Sequence, residues 1–241
     1  MITARALNTK RMTVPVCHDL AIGNEIVGMH DSGALWWPDQ SALIISDLHM
    51  EKGSSFARRG VMLPPYDTGE TLERLAALVE VFRPRRIIAL GDSFHDADGA
   101  DRLPRSYRAM LSMIQLGREW VWISGNHDPV IPQSVGGDRC DELTMGTLTF
   151  RHEPTEGPIT GEVCGHLHPV AKVRRLGRSI RRPCFATNGN RLIMPSFGAL
   201  TGGLNVMDEA WKPVFEGKRF SVFMLGSGRL FPFTASKLIA D

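Results

Sequence analysis

The chain has 241 residues, of which 43% are hydrophobic and 22% charged, and its formal net charge is +2. This is the composition of an ordinary globular protein with enough chain for one sizeable core. The near-neutral balance excludes a whole-molecule field that would by itself draw nucleic acid or a membrane surface, so any basic patch has to be local.

The four cysteines (Cys17, Cys140, Cys164 and Cys184) form no C-x-x-C pair. They do not read as a disulfide framework, and a reducing compartment follows. Residues 1–10 lack the apolar stretch of a secretory signal, and no run of about 18 apolar residues suggests a membrane span. A cytoplasmic location is therefore expected. Met12 follows a polar, unpatterned start, so a true start there, with about the first 12 residues disordered, is an expectation as well.

In chain order, residues 20–37 read as strands joined by Gly23-Asn24 and Asp31-Ser32-Gly33. Ala42–Ile45 is a short, wholly apolar run, as a buried strand is. A helix is predicted over Thr68–Phe82, where Leu72, Leu75, Val79 and Phe82 recur at three- and four-residue spacing. Asp67 or Thr68 would cap it and Pro84 would stop it. Arg86–Leu90 is the next strand. Ser106–Leu116 is a second helix, with Gly117 at its end. Trp120–Ile123 is a third strand. Strand-like pieces then dominate: Thr147–Arg151, Gly161–Cys164, Arg191–Met194, Phe220–Leu225 and Arg229–Phe233, separated by turn residues. An α/β first half thus runs into a strand-rich second half. The pattern predicts an α/β fold with two packed mixed β-sheets flanked by helices, in a single domain over residues 1–241.

The polar residues cluster where these strands end. Ala42–Ile45 runs into Asp47 and His49, Arg86–Leu90 into Gly91-Asp92, and Trp120–Ile123 into Gly125-Asn126-His127-Asp128. The later strands run into His152 and into Gly165-His166-Leu167-His168. Ligands of open α/β sheets bind beyond the carboxyl ends of the strands. In an extended segment, Asp47 and His49 would face the same way, as would His166 and His168. Each pair could grip one ion or split between two neighbours. Carboxylate, imidazole and amide oxygen together suit Mn, Fe or Zn. Of the eight histidines, only His18 and His30 stand outside this set of strand ends. Each motif alone has an ordinary alternative, a turn or a packed histidine; five in this order do not.

Asp47-x-His49, Gly91-Asp92, Gly125-Asn126-His127-Asp128, His152 and Gly165-His166-x-His168 resemble the five motifs of the calcineurin-like metallophosphoesterases. Residues 48–56 and 91–96 resemble, more narrowly, the bacterial DNA-ligase-associated branch, PdeM, thought to act as a DNA-damage-response endonuclease. The resemblance implies a two-metal phosphoesterase with a sandwich fold, two divalent ions (Mn, with Fe or Zn as alternatives) and hydrolysis by a metal-activated hydroxide. It also implies that Asp47, His49, Asp92 and His168 hold one ion, while Asp92, Asn126, His152 and His166 hold the other. His127 would contact the phosphate and protonate the leaving oxygen, with Asp128 orienting it. Many relatives carry Asp where this chain has His95, so His95 is either a substrate contact or a packed neighbour.

The resemblance makes DNA the expected substrate, with a functional association with DNA ligase and helicase. The alternative is a small nucleotide-like phosphoester. A non-catalytic scaffold would have no need of a complete ligand set. Lys172, Arg174, Arg175, Arg178, Arg181 and Arg182 form a basic run after His168, and Lys52, Arg58 and Arg59 follow the first motif. If they lie at the rim of the crevice, Arg58, Arg174 and Arg175 could track a nucleic-acid backbone; otherwise the run is a solvated loop. Residues 198–203 are either a loop that approaches the substrate or a turn.

Overall fold

The computed structural model describes residues 17–64, 66–217 and 219–241. The expectations for residues 1–12 lie outside these. Seven strands form the first sheet in sequence order: β1 (His18–Ile22), β2 (Glu25–Met29), β3 (Leu35–Trp37), β4 (Ala42–Ile45), β5 (Arg86–Leu90), β6 (Glu119–Ile123) and β7 (Asp138–Cys140). The first four pair antiparallel, and β4 to β7 pair parallel.

The second sheet holds β8 (Glu142–Met145), β9 (Leu148–Arg151), β10 (Glu162–Cys164), β11 (Pro169–Arg175), β12 (Arg178–Thr187), β13 (Arg191–Ile193), β14 (Leu204–Asn205), β15 (Ser221–Gly226) and β16 (Arg229–Thr234). Its central order is β14-β11-β12-β13-β10-β9-β8, and β15 joins β12 and carries β16. Strands β9, β10 and β13 run parallel, while β11, β12, β15 and β16 pair antiparallel. Both sheets are therefore mixed, as the sequence pattern predicts. Among the described residues, four α-helices complete the fold: α1 (Lys52–Ala57), α2 (Asp67–Phe82), α3 (Gly99–Arg102) and α4 (Arg105–Gln115). Among the described residues no helix is long and apolar enough to cross a membrane.

The apolar runs at β4, β5 and β6 are explained by burial on both faces. Ile44, Ile88, Leu90 and Ile123 turn toward the second sheet and pack with Leu148, Phe150, Val163 and Phe185. Leu43, Ile45, Ile87, Ala89 and Trp122 turn the other way, onto Leu72, Leu75 and Val79 of α2 and Leu111 and Ile114 of α4. The outer face of the second sheet is covered by the segment containing Trp211, Val214 and Phe215.

Two local expectations are corrected, and one helix is added. Asp67 and Thr68 do not cap α2. The helix takes them inside its first turn, and their side chains reach to Gly53 N and Glu51. The basic run after His168 is a two-stranded ribbon, β11 paired with β12, rather than a loop. Alternating apolar residues anchor only its base, so its outer part carries no strand-like hydrophobic pattern. Lys52 and the residues after it form the short helix α1, which is too brief to show periodicity.

One buried ion pair fixes the start of β10, the strand that delivers His166. Glu162 and Arg191 are 0% and 1% exposed. The Arg191 guanidinium bonds Glu162 and donates to the Val214 and Thr155 carbonyls at 2.8 and 2.5 Å. Removing one partner of a buried pair strands the other charge, at a cost of about 3–5 kcal/mol. Arg191→Met is expected to lose that much stability in urea unfolding; an unchanged midpoint would show that the pair does not hold β10.

Candidate metal centre

The parallel strands β4, β5 and β6 end at one edge of their sheet, and β9 and β10 end beside them. Main-chain bonds tie the emerging segments together. His49 N donates to Asp92 O, Met50 N to Ser93 O and His95 N to Met50 O, each at 2.9 Å. Within the second sheet Gly165 N donates to His152 O at 3.0 Å, and across the two sheets Phe197 N donates to Ser46 O at 2.8 Å.

Three groups of candidate ligand atoms result among the described residues; one is His49, His95 and His127, and the other two share Asp92. In the first of these two, His49 Nε2 lies 3.2 Å from His168 Nε2 and 3.7 Å from Asp92 Oδ2. His168 Nε2 lies 3.2 Å from Asp47 Oδ1. In the second, Asn126 Oδ1 lies 2.9 Å from His152 Nε2 and 3.0 Å from His166 Nδ1. Asp92 Oδ1 is 3.4 Å from His152 Nε2. Asp92 thus offers one oxygen to each group, and both groups meet the spacing needed to hold an ion.

The pairs converge by a different route from the extended one expected. Asp47, His49, Asp92, His166 and His168 all have positive φ, between 43° and 69°. Left-handed backbone is uncommon outside glycine, although Asp and His tolerate it better than most residues. Each such residue stores local strain. The tight turns also need empty space beneath them. A Cβ on Gly125 would sit 2.1 Å from Asp92 N, and one on Gly165 would sit 1.9 Å from Ser46 Oγ.

The charge balance favours a cation. Burial alone would raise the Asp47 carboxyl, but His168, His152 and the Ser46 hydroxyl hold it below the usual range. Burial opposes ionisation of Asp92 too, yet the His152 hydrogen bond and charge bring it down to about 2. Burial pushes His49 down to about 3 and also lowers His166. Two buried carboxylates are therefore ionised beside the His49 and His166 imidazoles, both of which burial keeps from protonating. His49 Nε2 and His168 Nε2 face each other at 3.2 Å, and two ring nitrogens so placed need a cation or a proton between them. His49 Nδ1 is a buried nitrogen with no hydrogen-bond partner. The donor set of carboxylate, imidazole and amide oxygen fits Mn, Fe or Zn.

His152 carries the proton that stands in for that charge. Burial disfavours its cation, but Asp92 and Asp47 outweigh burial and raise it to about 9. Its Nδ1 donates to Leu90 O at 2.9 Å, which leaves Nε2 as the ligating atom. An ion binding there at pH 7 must displace the Nε2 proton, because only neutral imidazole ligates. Titration calorimetry in buffers of different ionisation enthalpy should show about one proton released at that seat. The release should fade as pH passes about 9. Heat independent of the buffer at pH 7 would contradict it.

His127 stands over the two groups, with its side chain 41% exposed and Nε2 3.9 Å from Asp92 Oδ2. Its Nδ1 donates to the His95 carbonyl at 2.9 Å, so Nε2 is the free atom. The expected contact between Asp128 and His127 is not formed. Adjacent residues of this turn point opposite ways, and Asp128 is buried, 2% exposed. Its Oδ2 accepts from Phe94 N at 2.9 Å. Asp128 therefore supports the segment whose next carbonyl holds His127. Burial raises the Asp128 carboxyl to about 7.

The other candidates divide. His95 stacks on His127 with ring centroids 5.4 Å apart, beside the first group. Arg58 pairs with Asp98 at 3.1 Å, on a shallow pocket shared with Arg59 and Asp96. Arg174 and Arg175 are not brought to the centre: β11 leaves His168 and carries them about 20 Å away, at 3.3 Å per residue. Gly198 packs under the first motif, where a Cβ would lie 2.2 Å from Leu48 O.

Residues with no sequence motif also serve the site. Ser46 donates to Asp47 Oδ2 at 2.6 Å. Glu51, at φ 65°, donates its N–H to Thr68 Oγ1 at 2.8 Å and accepts the Thr68 hydroxyl at 3.0 Å. Ser46 could have been noticed from its place beside Asp47. The Glu51–Thr68 contact bridges 17 positions and has no local signal.

Comparison with known proteins fits this geometry. The model of the family described as calcineurin-like phosphoesterase matches residues 41–191. Among solved structures, the chain is similar to the nuclease MPE of Pseudomonas putida. The TM-score is 0.69 at 23% identity, covering 90% of this chain and 100% of that one. It also matches YfcE, a phosphoesterase from E. coli, with a TM-score of 0.41 at 15% identity, covering 80% of this chain and 98% of that one. No curated protein matches.

Proposed function

We propose that this chain, which belongs to the calcineurin-like phosphoesterase family, hydrolyses phosphodiester bonds in DNA as an endonuclease of the damage response. It is a metal-dependent phosphoesterase; the substrate and the residue roles are our reading. The observation that carries it is the shared Asp92 between two ligand groups with His127 above them.

In this reading Asp47, His49, Asp92 and His168 hold one divalent ion, and Asp92, Asn126, His152 and His166 hold the second, Mn being the preferred metal. When bound, the ions supply the positive charge that makes water acidic enough to attack at neutral pH and that offsets charge on the phosphoryl oxygens. The protein's own contribution is placement and one proton. The His95 carbonyl accepts the Nδ1–H of His127, so Nε2 faces the substrate; it passes a proton to the leaving oxygen from the imidazolium, in which both ring nitrogens are protonated, and leaves the ring neutral with its proton on Nδ1. Asp128 acts at one remove, by holding Phe94 N. His95, stacked on His127, limits the swing of that ring and contacts the substrate.

DNA is favoured by the exposure of His127, which leaves the centre open to a macromolecular diester. The solved structure whose whole length this chain covers is also called a nuclease, and the words at residues 48–56 and 91–96 resemble the DNA-ligase-associated branch. A functional link to ligase and helicase belongs to the same reading.

With Mn present, the protein should cleave single-stranded or duplex DNA and bis-p-nitrophenyl phosphate in preference to the p-nitrophenyl monoester. His127→Ala should lower DNA cleavage by about 10²-fold or more. It should lower bis-p-nitrophenyl phosphate cleavage less, because nitrophenolate leaves without a proton. Preference for the monoester would overturn the diester reading, and equal losses on both diesters would remove the acid role of His127.

A further inference from the structure

The β11–β12 ribbon concentrates basic charge in a near-neutral chain. Residues 172–182 carry six Lys or Arg and no Asp or Glu, so the rest of the chain is net acidic. The ribbon's register sorts these charges onto two faces. Lys172 lies opposite Arg181, and Asp241 neutralises both at 3.7 and 3.1 Å. Arg182 lies opposite Ala171, Val173 opposite Ile180 and Arg175 opposite Arg178, on the other face by strand alternation.

That second face is one wall of a groove of about 760 Å³, and the β15–β16 hairpin is the other wall. Five of the groove's thirteen lining residues are Arg or Lys, and none is acidic. Its floor is apolar and partly open: Ile180 is 42% exposed, and Phe231 and Phe233 are half-buried. The Arg229 guanidinium lies over the Phe231 ring, 4.5 Å from its centroid. A solvated charged face would not need that floor. A cluster of like charges with no carboxylate among the described residues is self-repulsive until an anion binds.

We propose that this groove is a nucleic-acid site separate from the metal centre, in which Arg182 and Arg229 contact phosphates, the Arg229 guanidinium moving off the Phe231 ring so that an unstacked base of a single strand takes its place. Aromatic rings flanked by cations are the usual platform for single strands, since every base has a face to stack and every link a phosphate to pair. An acidic peptide would use the cations but would leave the rings without a role. The proposal rests on the nuclease reading above and adds an anchor to it. Arg182 sits opposite Ala171, three residues and about 10 Å of strand from His168, so a substrate must be several nucleotides long to occupy both sites.

The test compares wild type with Arg182→Glu/Arg229→Glu and with Phe231→Ala, using the full chain. Affinity for a labelled 20-nucleotide oligothymidylate is measured by fluorescence anisotropy across a salt series. Cleavage of that oligomer, of a dinucleotide and of bis-p-nitrophenyl phosphate is measured alongside. The charge reversal should weaken oligomer binding at least tenfold and flatten the log–log salt slope by about 1.4, the value for two lost single-strand contacts. KM for the oligomer should rise while kcat, the dinucleotide and the nitrophenyl diester are unchanged. Phe231→Ala should weaken binding without changing the salt slope.

Unchanged oligomer binding in the folded, diester-active charge reversal would overturn the groove while leaving the nuclease reading intact. A wild type that binds the oligomer through Arg182 and Arg229 but cleaves no DNA would keep the groove and sink the nuclease reading. Arginine-dependent binding of polyglutamate with none of the oligomer would replace the proposal with an acidic protein partner. Equal loss of duplex and single-strand binding, with Phe231→Ala silent, would overturn the stacking role.

Discussion

Asp92 is the junction on which the site depends. Its main chain turns left-handed at φ 45°, its carbonyl holds His49 N, and its Oδ1 accepts the His127 N–H at 2.9 Å. The same carboxylate presents Oδ2 toward His49 and Oδ1 toward His152. Three segments from three parallel strands are thereby locked to one residue. A buried, ionised carboxylate in such a place is unfavourable by itself. It is tolerable because histidine hydrogen bonds surround it and because the fold provides for a cation.

The strain around this junction is concentrated rather than spread. Five of the candidate ligand residues have positive φ, and so does Glu51, next to them. Such backbone persists only where the surroundings over-determine it. Here the surroundings are the paired ends of β4, β5, β9 and β10, the close-packed Gly125 and Gly165, and the Glu51–Thr68 clasp from α2. The two cores on either face of the first sheet hold those strand ends in register. The buried Glu162–Arg191 pair does the same at the base of β10.

Much of this was legible in the sequence because apolar runs and polar ends are local. Ala42–Ile45 and Arg86–Leu90 appear in the fold with the bounds that their apolar runs mark, and the polar residues after them meet at one edge. The reason first given for the Asp-x-His pairing was wrong in mechanism: Asp47 and His49 converge through left-handed turns, not along an extended strand. Nothing in a residue's identity shows its φ, although the neighbouring glycines hint at it. The partner of His127 was also missed. That partner is a main-chain carbonyl, at His95, and sequence motifs name only side chains. The ribbon of residues 169–187 was legible as charge but not as structure, since half of it protrudes beyond the core and shows no hydrophobic alternation.

The molecule therefore places its two kinds of charge apart. Buried carboxylates converge at the strand ends, and arginines line a groove that begins about 10 Å of strand away, where Arg182 faces Ala171. The central claim is that Asp92 joins two ion seats. Metal titration with Mn of wild type, Asp92→Asn and His152→Ala, read as ions bound per folded chain, tests it most directly. The account predicts about two ions for wild type, about one for His152→Ala, and weakened binding at both seats together for Asp92→Asn. Two tightly bound ions in the Asp92→Asn protein, or the loss of only one, would contradict it.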